Sequence, residues 1–198
     1  MFRAGIQRLF LDEPDIRVTG EASNGSDALA AINRKRYDVV LLDINMDGRS
    51  GLDVLASIQA SRPTPVLMLS MYPAEQYGLT AIQHGARGYI AKDAEPAELM
   101  AAIRQVATGG LYLSAKIAQD VRAQLEGHDE RPPHQRLSVR EYQIMVMLLR
   151  GMSLTDIGRE MMISVKTVST HRTHILEKLS VSSTAELVLY AVRKGLVH

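Results

Sequence analysis

Residues 153–179, SLTDIGREMMISVKTVSTHRTHILEKL, constrain the fold more than any other stretch of this chain. Apolar residues at 154, 157 and 161 predict one short amphipathic helix, and those at 168, 175, 176 and 179 predict a second. Only a tight turn separates the two helices. Helices joined by so short a connection must cross and share a core with a third element.

The outward side of the second helix carries Lys, Ser, Thr and His, which suits the major groove of DNA, where such side chains can meet base edges. The stretch resembles the LuxR-type helix-turn-helix domain. Its first helix is similar to LSVREYQIMVMLLRG (137–151), its scaffold helix to SLTDIGREMMI, its recognition helix to SVKTVSTHRTHILEKL, and its closing helix to SSTAELVLYAVRKGLV (182–197). The alternative is an ordinary helical bundle.

The resemblance implies contacts with double-stranded DNA from polar side chains of the recognition helix. Ser164 is expected to cap this helix, where free N–H groups can hold a phosphate, and Lys178 is expected on the DNA backbone. Arg172 borders the packed face, so it contacts either DNA or Glu141. The other expected contacts are Lys166, Thr167, Ser169, Thr170 and Thr173.

The small number of cations on this helix implies modest affinity per monomer, which predicts a homodimer on two half-sites. Part of the dimer surface is expected from the closing helix. Packing against the domain's own core is an equal alternative for the three residues in question, Leu187, Tyr190 and Ala191.

The N-terminal part alternates strands and helices, which predicts a parallel, doubly wound α/β sheet. The strands are expected at 16–22, 37–44, 65–71 and 86–92, and the helices at 2–13, 24–36, 50–61, 73–85, 95–110 and 114–127. A polar, Pro-containing linker follows at 127–136. We therefore predict domains at 1–113 and 137–198, joined by a linker helix and linker at 114–136.

Four residues fall at the carboxyl ends of these strands, where chemistry gathers in such sheets: Asp43, Ser70, Tyr89 and Lys92. A carboxylate beside a lysine and a hydroxyl can accept a phosphoryl group, because the ammonium balances the added charge. Each residue alone has an ordinary explanation as a turn, core or solvated side chain.

The segments VVLLDINMDGRSG, VLMLS and GYIAKDAEPAEL resemble the receiver domain of two-component response regulators, and the whole chain resembles the NarL/FixJ group. This resemblance implies a flavodoxin-like fold with Asp43 as phosphoacceptor and Lys92 as the phosphoryl contact. It implies Ser70 as the switch hydroxyl, Tyr89 as the aromatic switch, and the backbone carbonyl of Asn45 with Asp43 as metal ligands.

The chain departs from that family at its start. Family members begin with an apolar strand ending in two acidic residues, and Met1 already falls where the next helix begins. In the strand order 2-1-3-4-5 the absent strand would lie between 16–22 and 37–44. We therefore expect a four-stranded sheet or a repair between two chains. A chain that continues upstream is favoured, because the four site residues are retained; a degenerate receiver is the alternative.

Phosphoryl transfer usually relies on Mg²⁺, which requires several oxygen ligands. Mg²⁺ is thus the expected cofactor, but its binding is doubtful without the acidic pair, and Asp47 is a poor substitute.

Residues 137–198 hold eight Lys and Arg against five Asp and Glu, a basic bias typical of nucleic-acid binding. The absence of Cys, signal peptide and membrane span is typical of the cytoplasm.

These features predict a non-enzymatic transcription regulator controlled by aspartyl phosphorylation from a sensor histidine kinase. The alternative is a DNA-binding regulator that does not depend on phosphorylation, with its receiver used for dimerisation or docking. The target genes, the operator, the cognate kinase and the direction of regulation have no signature in the sequence.

Overall fold

A computed structural model describes residues 2–46, 50–126 and 132–196. The chain divides into two compact units. The first comprises residues up to 74 together with 78–117, and the second comprises 75–77 together with the residues from 118 onward. The expectation of an α/β receiver fold followed by an all-helical domain is confirmed.

The first unit is built on a parallel sheet of three strands in the order β1-β2-β3. The strands are β1 (Val40–Asp43), β2 (Val66–Ser70) and β3 (Gly88–Ala91). Every residue of β2 is buried, as expected for a central strand covered by helices on both faces. Its register aligns Asp43 with Leu69 and Ser70 with Ala91, so the strands end at the same edge of the sheet.

Helices cover this sheet, and local signals set where several of them begin. The side chains of Asn24 and Ser50 accept backbone N–H groups at the starts of two helices, and Pro96 occupies the first turn of a third. In the described residues these helices are α1 (Phe2–Leu9), α2 (Gly25–Arg34), α3 (Gly51–Ser61), α4 (Ala74–Gln83) and α5 (Pro96–Ala107). The next helix, α6 (Ala115–Leu125), begins at the end of this unit and continues in the second.

The predicted strand at 16–22 is wrong, and with it the four-stranded sheet. These residues form no assigned strand, and those at 17–21 are exposed. Within the described residues β1 pairs only with β2. An open groove of about 1040 Å³ lies along β1, with Ile6, Phe10 and Ile103 in its lining. A strand needs a neighbour to satisfy its backbone groups, and among the described residues no strand pairs with 16–22.

Besides the greater part of α6, the described residues of the second unit form a 3₁₀ helix (Pro133–Arg136) and the four α-helices of the C-terminal domain. The 3₁₀ helix lies in the predicted linker, whose residues 127–131 are outside the described chain, as is Asp47. The α-helices enclose one apolar core, which includes Ile144, Ile157, Ile175 and Leu187. Their bounds are α7 (Val139–Leu149), α8 (Leu154–Glu160), α9 (Val165–Leu179) and α10 (Thr184–Arg193).

The turn between α8 and α9 is tight. A Cβ added at Gly158 would lie 2.9 Å from the carbonyl oxygen of Ile163, so only glycine fits there without a shift. Met162, in the turn itself, has a φ of 54°, in the left-handed region that L-residues rarely adopt. The crossing of these two helices thus rests on one close backbone approach and one strained residue.

Candidate functional site

Asp43 and Lys92 meet at the carboxyl edge of the sheet. Asp43 is the last residue of β1, and Lys92 follows β3 directly, with its backbone N–H donating to the carbonyl of Ser70 at 2.7 Å. The ammonium of Lys92 forms an ion pair with Oδ2 of Asp43. The carboxylate is 31% exposed and the lysine 13% exposed. The partly accessible carboxylate of Asp43 therefore lies against the largely buried ammonium of Lys92, as the strand ends predict.

The second carboxylate oxygen of Asp43 is also engaged, because Oδ1 accepts the backbone N–H of Asn45 at 2.9 Å. The first residue of α3, Gly51, lies close to the same end of β1. A Cβ added at Gly51 would lie 2.1 Å from the backbone carbonyl oxygen of Asp43, a distance that no side chain can occupy. Gly51 therefore permits the close approach that shapes this pocket, and the sequence analysis did not single it out.

Ser70 and Tyr89 share a partner that the sequence analysis also missed. The hydroxyl of Ser70, which is 1% exposed, accepts the backbone N–H of Tyr72 at 2.9 Å. The hydroxyl of Tyr89, which is 2% exposed, donates to the backbone carbonyl of Tyr72 at 2.8 Å. Tyr72 thus connects the two predicted switch residues through its main chain. No periodicity or motif marks such a main-chain role.

Mg²⁺ needs near-octahedral coordination by oxygen, and Asp43 is the predicted source of its carboxylate ligands. Each of the two carboxylate oxygens accepts one bond, from Lys92 and from Asn45, and keeps a lone pair that a metal ion could use. Across the described ranges, no group of three or more His, Asp or Glu side chains is arranged to hold a metal ion.

The outward side of α9 carries the predicted DNA contacts. Ser164 caps the helix and accepts the backbone N–H of Thr167 at 3.1 Å, as expected. The residues expected to contact DNA are all exposed, whereas Val168, Ile175, Leu176 and Leu179 are buried in the core. The exposed set is Ser164, Lys166, Thr167, Ser169, Thr170, Thr173 and Lys178.

Lys178 is held by a carboxylate. Its ammonium contacts Oε2 of Glu141 at 2.7 Å, and Glu141, which is 4% exposed, also closes a capping box with Ser138 at the start of α7. Burial alone would raise the pKa of Glu141, but hydrogen bonds from Lys178 and Ser138 hold that pKa below its usual value. The pair joins α7 to α9 across 37 residues of sequence.

Arg172 and His171 lie on the border of the packed face. Arg172 donates from Nε to the hydroxyl of Thr184 at 3.2 Å, which links α9 to α10; the carboxylate of Glu141 is taken by Lys178 instead. Nδ1 of His171 is buried and has no hydrogen-bond partner in the described chain. Burial lowers the pKa of this imidazole.

The structure decides between core and surface for part of α10. Leu187 and Ala191 are fully buried, so the core alternative holds for both. The hydroxyl of Tyr190 lies 3.0 Å from Nδ1 of His134 in the 3₁₀ helix. The large apolar side chains that α10 does expose are Val188, Leu189 and Val192, which the periodicity argument did not select.

Two family models match the chain. Residues 1–104 match the response regulator receiver domain, and residues 135–191 match the bacterial regulatory proteins of the luxR family. The chain belongs to the two-component response regulators. It is a DNA-binding regulator with a receiver domain and a LuxR-type helix-turn-helix, as predicted, and this is a transcription-regulator family rather than an enzyme class.

Individual relatives agree over the whole length. The chain is 36% identical to the response regulator UvrY of Escherichia coli K12 over 200 residues, which span 100% of this chain and 92% of UvrY. It is 37% identical to the response regulator GacA of Pseudomonas aeruginosa over 201 residues, spanning 100% and 93%. These relatives place it in the NarL/FixJ group.

A solved structure shares the fold. RcsB of Salmonella enterica serovar Typhimurium, bound to a promoter in the presence of phosphomimetic BeF₃⁻, superposes with a TM-score of 0.63 at 19% identity. The match covers 95% of this chain and 92% of RcsB.

In the described part of the chain, every helix is too short or too polar to cross a membrane. Receiver domains of the family generally use Mg²⁺ for phosphorylation.

Proposed function

We propose that Asp43 is the phosphoacceptor of this regulator and that a sensor histidine kinase supplies the phosphoryl group. A carboxylate oxygen of Asp43 would bond to phosphorus while the phosphorus–nitrogen bond of the kinase phosphohistidine breaks. The observation that carries this proposal is the ion pair between Lys92 and Asp43, because the same ammonium is positioned to neutralise the oxygens of an acyl phosphate.

The hydrogen bonds of Tyr72 provide a route from the phosphoryl group to the receiver surface. In the phosphorylated protein the side chain of Ser70 would rotate to donate its hydroxyl hydrogen to a phosphoryl oxygen, and this rotation would take its oxygen away from the N–H of Tyr72. Tyr89 holds the carbonyl of the same residue, so both switch residues act on one segment of main chain. The segment from 70 to 72, with exposed Met71, is the element that we expect to move.

The test is phosphorylation of the full chain with acetyl phosphate, in parallel with and without Mg²⁺. We expect intact mass to show one added phosphoryl group, and Asp43→Asn to abolish it. Ser70→Ala is the matched control: the phosphoryl group is still accepted, but the affinity for duplex DNA no longer changes. A second acceptor in Asp43→Asn at the wild-type rate would overturn the assignment.

The second candidate is regulation without phosphorylation, with the receiver serving for dimerisation or docking. The described residues favour this candidate because they include no group of three or more His, Asp or Glu side chains placed to hold a metal ion. This candidate predicts no added mass from acetyl phosphate at any Mg²⁺ concentration, and DNA affinity that is equal in the wild type and Asp43→Asn.

We propose that α9 enters the major groove with Lys166, Thr167, Ser169, Thr170 and Thr173 toward the bases. Ser164 and Lys178 would contact phosphates. The exposure of this set, opposite a buried apolar face, supports the proposal. Lys166→Ala should weaken binding to duplex DNA and reduce its salt dependence. Arg193→Ala, an exposed cation on α10, is the control expected to bind as the wild type does.

A homodimer on two half-sites completes the proposal. Val188, Leu189 and Val192 form an exposed apolar stripe on α10 at helical spacing, and burying it against a second copy would remove it from water. Leu189→Glu should reduce dimers on a two-site duplex in analytical ultracentrifugation while leaving binding to a single half-site. Leu11→Glu, at an exposed leucine outside α10, is the control.

A further inference from the structure

Two outward threonines of α9 direct their hydroxyl hydrogens back into their own helix. Oγ1 of Thr170 donates to the backbone carbonyl of Lys166 at 3.1 Å, and Oγ1 of Thr173 donates to the carbonyl of Ser169 at 3.2 Å. Both threonines are exposed and lie one turn apart on the polar side of the helix. The two side chains therefore share one conformation, fixed by the main chain of the preceding turn.

This conformation limits what each threonine can offer a base. A threonine hydroxyl has one hydrogen, and a carbonyl oxygen can only accept it, so the hydroxyl cannot at the same time donate to N7 or O6 of guanine. The bond to the carbonyl four residues earlier also restricts χ1. The γ-methyl group makes no hydrogen bond, so it is the part of each exposed side chain that is still available to a base, together with the oxygen lone pairs.

The cations of α9 support the same conclusion. The helix has three Lys and Arg residues, and guanine is read most often by such side chains. Arg172 is bonded to Thr184, and Lys178 to Glu141. Lys166 is left as the cation of the exposed N-terminal turn, so readout next to it falls to groups without a charge.

We propose that Thr170 and Thr173 determine operator specificity through their methyl groups, by apolar contact with the 5-methyl group of thymine in the major groove. The inference rests on the proposed insertion of α9 into that groove and names the base it selects. Apolar contact of a threonine methyl with thymine is a chemically established mode of readout, and the internal hydrogen bonds leave the hydroxyls as acceptors only.

The test begins with duplexes selected from a randomised pool by the full-length wild-type chain. The selected duplex is then made with deoxyuridine at each thymine of the half-site in turn, which removes the 5-methyl group and leaves pairing unchanged. The affinity should fall about fourfold at the contacted positions, the value expected for burying one methyl group. Equal affinity for thymine and uracil at every position would overturn the inference.

Matched variants separate the methyl group from the hydroxyl. Thr170→Val keeps the methyl and the shape, and should bind the thymine duplex as the wild type does. Thr170→Ser keeps the hydroxyl, and should lose about fourfold on thymine with no further loss on uracil. The same pair is made at Thr173. The reverse pattern, in which Val loses affinity and Ser retains it, would show hydroxyl readout and overturn the proposal.

Lys166→Ala distinguishes the two levels of failure. If this variant is weakened while the wild type ignores the thymine methyl, only the methyl readout is overturned. If this variant binds every duplex as tightly as the wild type, α9 does not enter the groove, and both proposals are overturned. Circular dichroism of each variant establishes that the helical content is unchanged.

Discussion

The helices of the C-terminal unit and the edge of the receiver sheet differ in how far away their stabilising partners lie. Each of the helices α7 to α10 begins at a serine whose side chain accepts the backbone N–H group three residues later. The strand β1 instead depends on β2, whose residues lie 26 positions further along the chain in register, as Val40 with Val66. Local signals specify an element by themselves, whereas a strand exists only if its neighbour is present.

The strongest test of this difference is to truncate one side chain in a paired strand and one in the unpaired segment at 16–22, and to compare the losses of stability. Leu67→Ala, in the fully buried β2, should destabilise the receiver by about 2–5 kcal/mol. Val18→Ala, at 44% exposure in residues 16–22, should cost about 0.5 kcal/mol or less. Hydrogen exchange at amides 66–70 and 88–91 reports the receiver separately. Equal losses would mean that residues 16–22 pack as a strand.

The close approach of Gly51 to the backbone of Asp43 provides a second test at the same edge of the sheet. Gly51→Ala places a Cβ where the carbonyl oxygen of Asp43 lies at 2.1 Å, and should cost about 3 kcal/mol because α3 must move away from β1. Gly5→Ala is the control, since nothing lies within 4 Å of its added Cβ and it sits within α1. That control should be neutral or stabilising. Thermal unfolding checks both, and an undisturbed melting curve for Gly51→Ala would contradict the close approach.

The elements with local signals were predictable from the sequence. The α-helices and strands of the described residues were all expected within a few residues of their bounds, because caps, glycines and apolar runs lie within or beside each element. The pairing of Asp43 with Lys92 was also predictable, since β1 and β3 are parallel strands of one sheet and end at the same edge. The prediction of a strand at residues 16–22 was wrong because an alternation of β-branched residues does not show whether a partner strand lies beside them.

The remaining contacts depend on long-range packing. The ion pair of Glu141 with Lys178 spans 37 residues, and no spacing rule connects a helix cap to the end of another helix. The main-chain role of Tyr72 depends on where the chain turns after β2, and that turn is set by the tertiary fold. Sequence patterns locate the groups at a strand end, but the choice of partner among them is made by packing.

Glu141 offers a smaller test within the C-terminal unit. Its pKa is lowered on folding, so its bonds stabilise the unit above the ordinary carboxyl pKa of about 4.3, and this contribution is lost as the pH falls through the lower folded value. Glu141→Gln should cost about 2 kcal/mol at neutral pH, and the difference should shrink in acid. Urea unfolding at several pH values measures it. Glu177→Gln, exposed on α9, is the control, and a pH-independent difference would contradict the linkage.

The smallest expected effect is at the turn of the helix-turn-helix, where the backbone conformation of one residue is unfavourable for its side chain. Met162 is exposed yet held at a φ of 54°, so its side chain contributes little packing while its Cβ is strained. Met162→Gly relieves the strain at the expense of a more flexible unfolded chain, and Met162→Ala removes the side chain but keeps the Cβ. The glycine variant should be more stable than the alanine variant by up to about 1 kcal/mol. Hydrogen exchange at the amides of α9 measures this difference, and a more stable alanine variant would mean that the turn is not strained at this residue.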